Sequence, residues 1–108
     1  MAQETQLLKG VLEGCILGLL DKEPAYGYLI VEKLKLAGFE YMQEATVYPI
    51  LTRLQKKGLL ESEKRPSDIG PPRKYYLLTE EGKRELGAFL ESYSELKKSV
   101  DNIFKEKP

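Results

Sequence analysis

Residues 44–83 constrain the fold of this 108-residue chain more than any other segment. Their first third carries apolar residues at helical spacing on one face, and these are Val47, Ile50, Leu51 and Leu54. Gly58 follows, and a glycine at such a place commonly ends a helix. Two short strand-like runs, residues 59–65 and 73–78, are separated by Ser, Asp, Gly and Pro residues that favour turns. The segment therefore predicts a helix, a β-hairpin and the start of another helix.

Helical periodicity predicts two further helices before this segment and one after it. The predicted ranges are 5–20, 26–37 and 80–104. Thr79 is a suitable N-cap for the last helix. Pro49 is expected in the first turn of the third helix, because its ring would clash with the carbonyl four residues earlier. The third helix should therefore begin near residue 45 or 46, after a short connector.

This order of elements is that of a winged helix-turn-helix. One helix of such a fold enters a major groove, and a hairpin, the wing, reaches the neighbouring backbone. The expected fold class is mainly α with a two-stranded wing. We expect residues 1–78 to form a DNA-binding domain and residues 79–108 to form a C-terminal dimerisation helix.

Composition excludes most catalytic functions. The chain has no histidine and a single cysteine, so it offers almost no ligands for a zinc or other transition-metal site. The same absence excludes Ser-His-Asp and Cys-His catalysis. The sequence contains no glycine-rich phosphate loop. We therefore expect neither an enzyme nor a bound cofactor.

Charge is unevenly distributed, although the net charge is zero. Residues 43–78 contain seven basic side chains and four acidic ones, so a basic excess lies on the third helix and the wing. Such a local excess favours a nucleic acid as the partner. The residues predicted to contact double-stranded DNA are Thr46, Tyr48, Pro49, Thr52, Arg53, Lys56, Arg73 and Lys74.

Alternatives stay open within this predicted surface. Arg53 lies toward its edge and could pair with an acid instead. The helix residues could form an ordinary solvated face, and the wing bases an ordinary polar edge strand. Tyr75 and Tyr76 point to opposite faces of one strand, so one of them should belong to the core.

The last helix carries a heptad-spaced apolar stripe that is too long for so small a domain to cover. A helix from a second copy is the simplest cover, and folding back along its own domain is the alternative. The predicted homodimer interface consists of Leu8, Leu12, Leu86, Phe89, Tyr93, Leu96, Val100 and Ile103.

Gly10, Gly14 and Gly18 recur every four residues on the first helix, although each lowers helix propensity by about 1 kcal/mol relative to alanine. The spacing indicates close approach of another helix or room for a ligand, and tight packing within one subunit is the alternative. Gly14 and Tyr93 are the predicted ligand-binding residues. Cys15 is expected to be a small buried residue and not a redox sensor.

The first helix is fairly apolar, yet its sequence does not predict a membrane segment. Lys9 and Glu13 interrupt the apolar run, and no basic segment precedes it. Neither a signal peptide nor a membrane span is therefore expected. The expected location is the cytoplasm, and the lone cysteine fits a reducing compartment.

Three segments resemble the PadR family of bacterial transcriptional regulators, namely AYGYLIVEKL at 25–34, EATVYPILTRLQKKGLL at 44–60 and GPPRKYYLLTEEGK at 70–83. The single C-terminal helix resembles the short PadR subfamily, in which dimers form through the first and last helices. The resemblance implies a homodimeric repressor that binds a palindromic operator and releases it when a small aromatic molecule binds. It also implies that this molecule stacks on Tyr93 at the dimer centre.

Two other functions share this outline. A winged-helix module that binds only proteins would carry the same elements, and the modest basic excess leaves it open. A metal-sensing winged helix would need ligands that a chain with no histidine and one cysteine hardly offers.

Overall fold

The computed structural model describes residues 6–105. Within this range the chain forms four helices and three strands. Their bounds are α1 (Gln6–Lys22), β1 (Ala25–Tyr26), α2 (Gly27–Ala37), α3 (Glu44–Lys56), β2 (Leu60–Arg65), β3 (Arg73–Leu78) and α4 (Glu80–Phe104). The predicted fold class is confirmed, and the predicted start of the first helix at residue 5 lies outside the described residues.

The first helix ends later than predicted. We expected it to stop at residue 20, whereas α1 continues to Lys22. Pro24 disfavours helical geometry only at the residue before it, Glu23, so the helix can extend to that point. The break between α1 and α2 is correspondingly shorter than the sequence indicates.

A two-residue strand, β1, was not predicted. Ala25 and Tyr26 pair antiparallel with Tyr76 and Tyr75 of β3, respectively. The sheet order is therefore β1-β3-β2, and the wing hairpin forms two of its three strands. A strand this short has no periodicity to detect, and it forms because the edge of β3 offers unpaired backbone groups.

The third helix begins at Glu44, one or two residues earlier than predicted. Pro49 is consequently the sixth residue and lies in the second turn, so its predicted place in the first turn is wrong. An N–H at this position would have bonded the carbonyl of Ala45. Both residues are exposed, so water can take the place of the missing donor.

Gly58 ends α3 as predicted, and the helix end is a Schellman motif. Gly58 has a φ of 80°, and its N–H donates to the carbonyl of Gln55 at 3.0 Å. The N–H of Leu59 donates to the carbonyl of Leu54, also at 3.0 Å. These two bonds satisfy carbonyls that the helix leaves open, and they turn the chain directly into β2.

One contiguous core joins the first three helices, the sheet and the start of α4. All four residues predicted for the buried face of α3 belong to it. Tyr76 is buried and Tyr75 is half-buried, so Tyr76 is the core member of this pair. The largest fully buried side chains are Ile16, Leu17, Ile30, Leu34, Val47, Leu51 and Leu54.

The last helix leaves the core after its first turns. Thr79 caps it as predicted, because its hydroxyl accepts the N–H of Gly82 at 2.9 Å and donates to the carbonyl of Gly58 at 2.7 Å. Only Gly82 and Leu86 of α4 are buried. The rest of the helix projects outward, and the molecule is 60 Å long but only 20 Å thick. No helix within residues 6–105 is both long and apolar enough to cross a bilayer.

Candidate nucleic-acid interface

The side of α3 that faces away from the core exposes a continuous strip of side chains. Ala45, Tyr48, Thr52 and Lys56 are exposed and follow one another at spacings of three or four residues, which aligns them along the helix. Buried residues on the opposite face anchor the helix. The strip, defined by these four residues, therefore keeps a fixed direction relative to the wing.

Tyr48 is held on this strip by a contact with α2. Its ring and hydroxyl occupy the place where a Cβ at Gly27 would be, so only a glycine admits the ring there. The side chain remains partly exposed. Burial raises the pKa of the Tyr48 phenol above its usual value, and the charge of Glu44 adds to the effect. The hydroxyl is therefore protonated at neutral pH and able to donate a hydrogen bond.

The wing presents two predicted bases beside this strip. Arg73 and Lys74 begin β3 opposite Arg65 and Lys64 of β2. The guanidinium of Arg73 lies 4.4 Å from the centroid of the Tyr26 ring, and the ammonium of Lys74 lies 5.4 Å from that of Tyr76. Both side chains are exposed and available to an anionic partner.

Three other bases of α3 and the wing are paired with acids, whereas Lys64 has no salt bridge within the described residues. The guanidinium of Arg53 bonds the carboxylate of Glu13 at 2.7 and 2.9 Å, and the ammonium of Lys57 lies 3.8 Å from the same group. On the wing, Arg65 bonds Glu63 at 2.7 Å. The sequence left open whether Arg53 pairs with an acid, and in the structure it does. The free positive charge is concentrated on fewer residues than the sequence indicates.

A groove of about 500 Å³ separates the start of α1 from the start of α3. Its apolar lining includes Leu8, Pro49 and Ile50, and its polar lining includes Thr46 and Arg53. Three predicted DNA-contacting residues, Thr46, Pro49 and Arg53, therefore lie on the flank of α3 that faces α1. Thr46 is half-buried, in contrast to the exposed strip.

The apolar stripe of α4 is exposed over most of its length. Tyr93, Leu96, Val100 and Ile103 are between 45% and 77% exposed in the single chain. Leu12 and Leu86, which were also predicted to face a second copy, are buried in the core of their own chain. The available apolar surface therefore lies in the outer part of α4.

The predicted ligand-binding residues meet through a third side chain. The Phe89 ring of the same chain occupies the space beside Gly14, where a Cβ would collide with it. The Phe89 and Tyr93 rings are stacked, with centroids 5.9 Å apart and an interplanar angle of 20°. For Gly14, close packing within one subunit is thus what the single chain shows, whereas a Cβ added at Gly10 would meet no packed atom within 4 Å among the described residues.

Reactive chemistry has little support in the described residues. Cys15 is half-buried, and burial raises the pKa of its thiol, which disfavours the reactive thiolate. Between residues 6 and 105, no group of three or more histidine, cysteine or acidic side chains is arranged to hold a metal ion.

Two residues of this surface were missed by sequence reasoning. Tyr26 was assigned to the start of a helix, yet it lies in β1 under the guanidinium of Arg73. Glu13 was noted only as a charge in the first helix, yet it neutralises Arg53. Both contacts join residues far apart in the chain, and no local pattern signals them.

The chain is similar in sequence to several known proteins, and two of them have solved structures with this architecture. A PadR-like transcriptional regulator from Bacillus cereus is 41% identical, with a TM-score of 0.87 over 95% of this chain and 100% of that chain. A PadR-like transcription factor from Bacteroides fragilis is 49% identical, with a TM-score of 0.78 over 91% and 94% of the two chains. An uncharacterised protein from Lysinibacillus sphaericus is 30% identical over 90% of this chain and 91% of its own length.

The family assignment rests on the same residues that form the fold. Residues 16–88 match the model of the PadR-like transcriptional regulator family, and they span most of the core, the strip on α3 and the whole wing. This is a family of transcriptional regulators and not of enzymes, and its fold implies regulation through DNA binding. The chain therefore belongs to the PadR-like family of transcriptional regulators.

Proposed function

We propose that this protein is a homodimeric repressor that binds a palindromic operator and is released from it by a small aromatic molecule. The observation that carries the proposal is the presence of two different surfaces on one chain. One is the strip on α3 with the unpaired wing bases beside it, and the other is the exposed apolar stripe of α4. The first suits DNA, and the second suits another copy of α4.

The DNA-binding part of the proposal follows from shape and charge. α3 is anchored on one face and exposes Thr52 and Lys56 on the other, so it can enter a major groove. Arg73 and Lys74 on the wing then lie beside the groove, where phosphates are found. Lys56, Arg73 and Lys74 have no salt bridge within the described part of the chain, so their charge is available for phosphate oxygens.

The dimer supports a palindromic operator. A seam along α4 that includes Leu96 and Val100 is self-complementary when two copies meet across a two-fold axis. Two recognition helices related by this axis would read two inverted half-sites. Their centres should lie about 34 Å apart, or a small multiple of that distance.

The effector part of the proposal rests on the aromatic pair of α4. Phe89 and Tyr93 are stacked, and Tyr93 remains partly exposed at the face that a second copy would cover. A flat apolar molecule could extend this stack between the subunits. Its binding would release DNA only if it favours one separation of the recognition helices over the other.

Selection of DNA from a random duplex library tests the proposal. The wild-type protein is expected to enrich an inverted repeat, here named the selected duplex. Light scattering at micromolar concentration should give the molar mass of a dimer. Its affinity for the selected duplex should fall steeply with salt, because phosphate contacts release counterions. A monomer, or a dimer that enriches no sequence and binds no duplex, would contradict the proposal.

The second candidate is a winged-helix module that binds only proteins. The pairing of Arg53, Lys57 and Arg65 with acids favours it, because it lowers the free positive charge of the surface. Loss of all duplex binding, with the fold and the dimer retained, would select this alternative.

A further inference from the structure

A small pocket of about 210 Å³ lies where α2, α3 and β3 meet. In bulk water this volume would hold about seven molecules at roughly 30 Å³ each, so it can take a phosphate group with part of a neighbouring sugar. Two cations and three phenol rings line the pocket, and no carboxylate does. The lining residues are Tyr26, Gly27, Tyr48, Arg73, Lys74 and Tyr76.

The charge of the pocket is not neutralised from within the chain. Arg73 and Lys74 have no acidic partner within 4.0 Å among residues 6–105, whereas Arg53, Lys57 and Arg65 each have one. Arg73 and Lys74 are neighbours on β3 and point to opposite faces of the strand, so they border the cavity from two sides. An anion in the cavity would be attracted by both, and the surroundings therefore favour a negatively charged occupant.

Aromatic rings hold the cations at the rim of the pocket. The guanidinium of Arg73 lies over the Tyr26 ring, which itself meets the Tyr75 ring edge-on at a centroid distance of 5.2 Å. The ammonium of Lys74 lies over Tyr76. A guanidinium that rests on a ring still directs its N–H groups outward in its own plane, where they can bond phosphate oxygens.

We propose that this pocket binds one phosphodiester group of the DNA backbone. Arg73 and Lys74 supply the charge, and the hydroxyls of Tyr26 and Tyr48 donate hydrogen bonds to the phosphate oxygens. The inference rests on the proposed DNA binding and deepens it, because it adds Tyr26 and assigns four side chains to a single phosphate. Tyr48 belongs both to the strip on α3 and to the pocket, so this phosphate borders the groove that α3 enters.

The test begins with Tyr26→Phe, which removes the hydroxyl and keeps the ring beneath Arg73. Affinity for the selected duplex should fall about tenfold, as for a lost hydrogen bond to a charged group. Tyr41→Phe, a change of the same kind at an exposed tyrosine between α2 and α3, is the control and should leave DNA affinity unchanged. Thermal unfolding of both variants checks that the fold is retained. Equal affinity of Tyr26→Phe and wild type at every salt concentration would overturn the role of Tyr26.

Neutral methylphosphonate links, placed one at a time in the selected duplex, locate the phosphate. One position per half-site should weaken wild-type binding strongly. At this position the losses caused by the link and by Lys74→Ala should not add, because both remove the same contact. Lys35→Ala, which removes a lysine that pairs with Glu32 on α2, is the control. Its effect and that of the neutral link should add at every position. Additive losses for Lys74→Ala at every position would overturn the single-phosphate pocket.

Two further measurements distinguish a DNA phosphate from a small phosphate ligand, and a failure of the pocket from a failure of the proposed function. Inorganic phosphate, titrated at constant ionic strength, should not compete with the duplex at micromolar concentration. Such competition would point to a small phosphate-containing ligand and overturn the assignment to DNA. Wild-type protein that binds no duplex would overturn the proposed function itself, whereas duplex binding insensitive to Tyr26→Phe would overturn only the role of Tyr26 in the pocket.

Discussion

The winged-helix part of the molecule and the outer part of α4 carry similar apolar side chains but differ in what covers them. Leu54 on α3 is fully buried, whereas Leu96 on α4 is 59% exposed. Both leucines lie on apolar stripes at helical spacing. The first stripe is buried within the chain, and the second is exposed in the single chain. An apolar stripe thus indicates that a face will be covered, without indicating by which molecule.

The largest effect should distinguish the two leucines. Leu54→Ala is expected to lower the free energy of unfolding by about 2–5 kcal/mol, because it leaves a cavity in a closed core. This loss of unfolding free energy should be the same at every protein concentration, because the cavity lies within one chain. Leu96→Ala should instead lower stability in a way that weakens as concentration rises, because dilution separates the proposed dimer. Chemical unfolding at several protein concentrations makes the measurement. A concentration-independent loss for Leu96→Ala would remove the contrast.

A charge in the outer stripe should separate dimerisation from folding. Leu96→Glu is expected to give a folded monomer, because a buried unpaired charge is unfavourable at the seam and harmless in water. Its affinity for the selected duplex should fall by about 100-fold or more, since two linked half-sites are no longer bound together. Lys98→Glu, on the side of the same helix that faces away from the apolar stripe, is the matched control. Light scattering that shows a dimer for Leu96→Glu would contradict the proposed interface.

Two neighbouring lysines at the end of α3 should differ in their contribution to DNA binding. Lys56→Ala is expected to weaken binding to all duplexes and to reduce the salt slope by about 0.9, the value for one lost phosphate contact. Lys57→Ala should do less, because the ammonium of Lys57 lies 3.8 Å from Glu13. Fluorescence anisotropy over a range of salt concentrations measures both slopes. Equal slopes for the two variants would mean that the pairing with Glu13 does not decide which lysine contacts DNA.

The smallest effect is expected from removing the acid that pairs with α3. Glu13→Gln should release Arg53 and tighten DNA binding slightly, with a steeper salt dependence. The loss of stability should be about 0–1 kcal/mol, because the pair is partly exposed. Glu32→Gln, which breaks the exposed pair with Lys35 on α2, is the control. An unchanged salt slope for Glu13→Gln would show that Arg53 stays clear of the DNA even when it is free.

Most of the fold could be predicted because its signals are local. The buried face of α3, the cap at Thr79 and the turn at Gly58 each depend on residues within a few positions of one another. The start of α3 was placed one or two residues too late, because the rule for Pro49 allowed only the first turn. Ala45 and Pro49 are exposed, so water can replace the missing bond, and exposure is not visible in the sequence.

The candidate site could be predicted only in outline. Local charge and helical spacing correctly placed the bases on α3 and the wing, yet they did not distinguish free bases from paired ones. The state of Arg53 depends on Glu13, which lies forty residues earlier in the chain. Tyr26 likewise reaches Arg73 only because β1 pairs with β3. The DNA contacts themselves, the dimer and the effector stay predictions.

The sequence by itself determined the helices, the hairpin and the faces that each helix buries, because these follow from periodicity and from the backbone preferences of glycine, proline and capping residues. The tertiary structure alone decided which charges remain free and where they gather. It brought Glu13 to Arg53 and closed a pocket around Arg73 and Lys74. The physical reason is that electrostatic partners are chosen by distance in space, and packing sets this distance independently of separation along the chain.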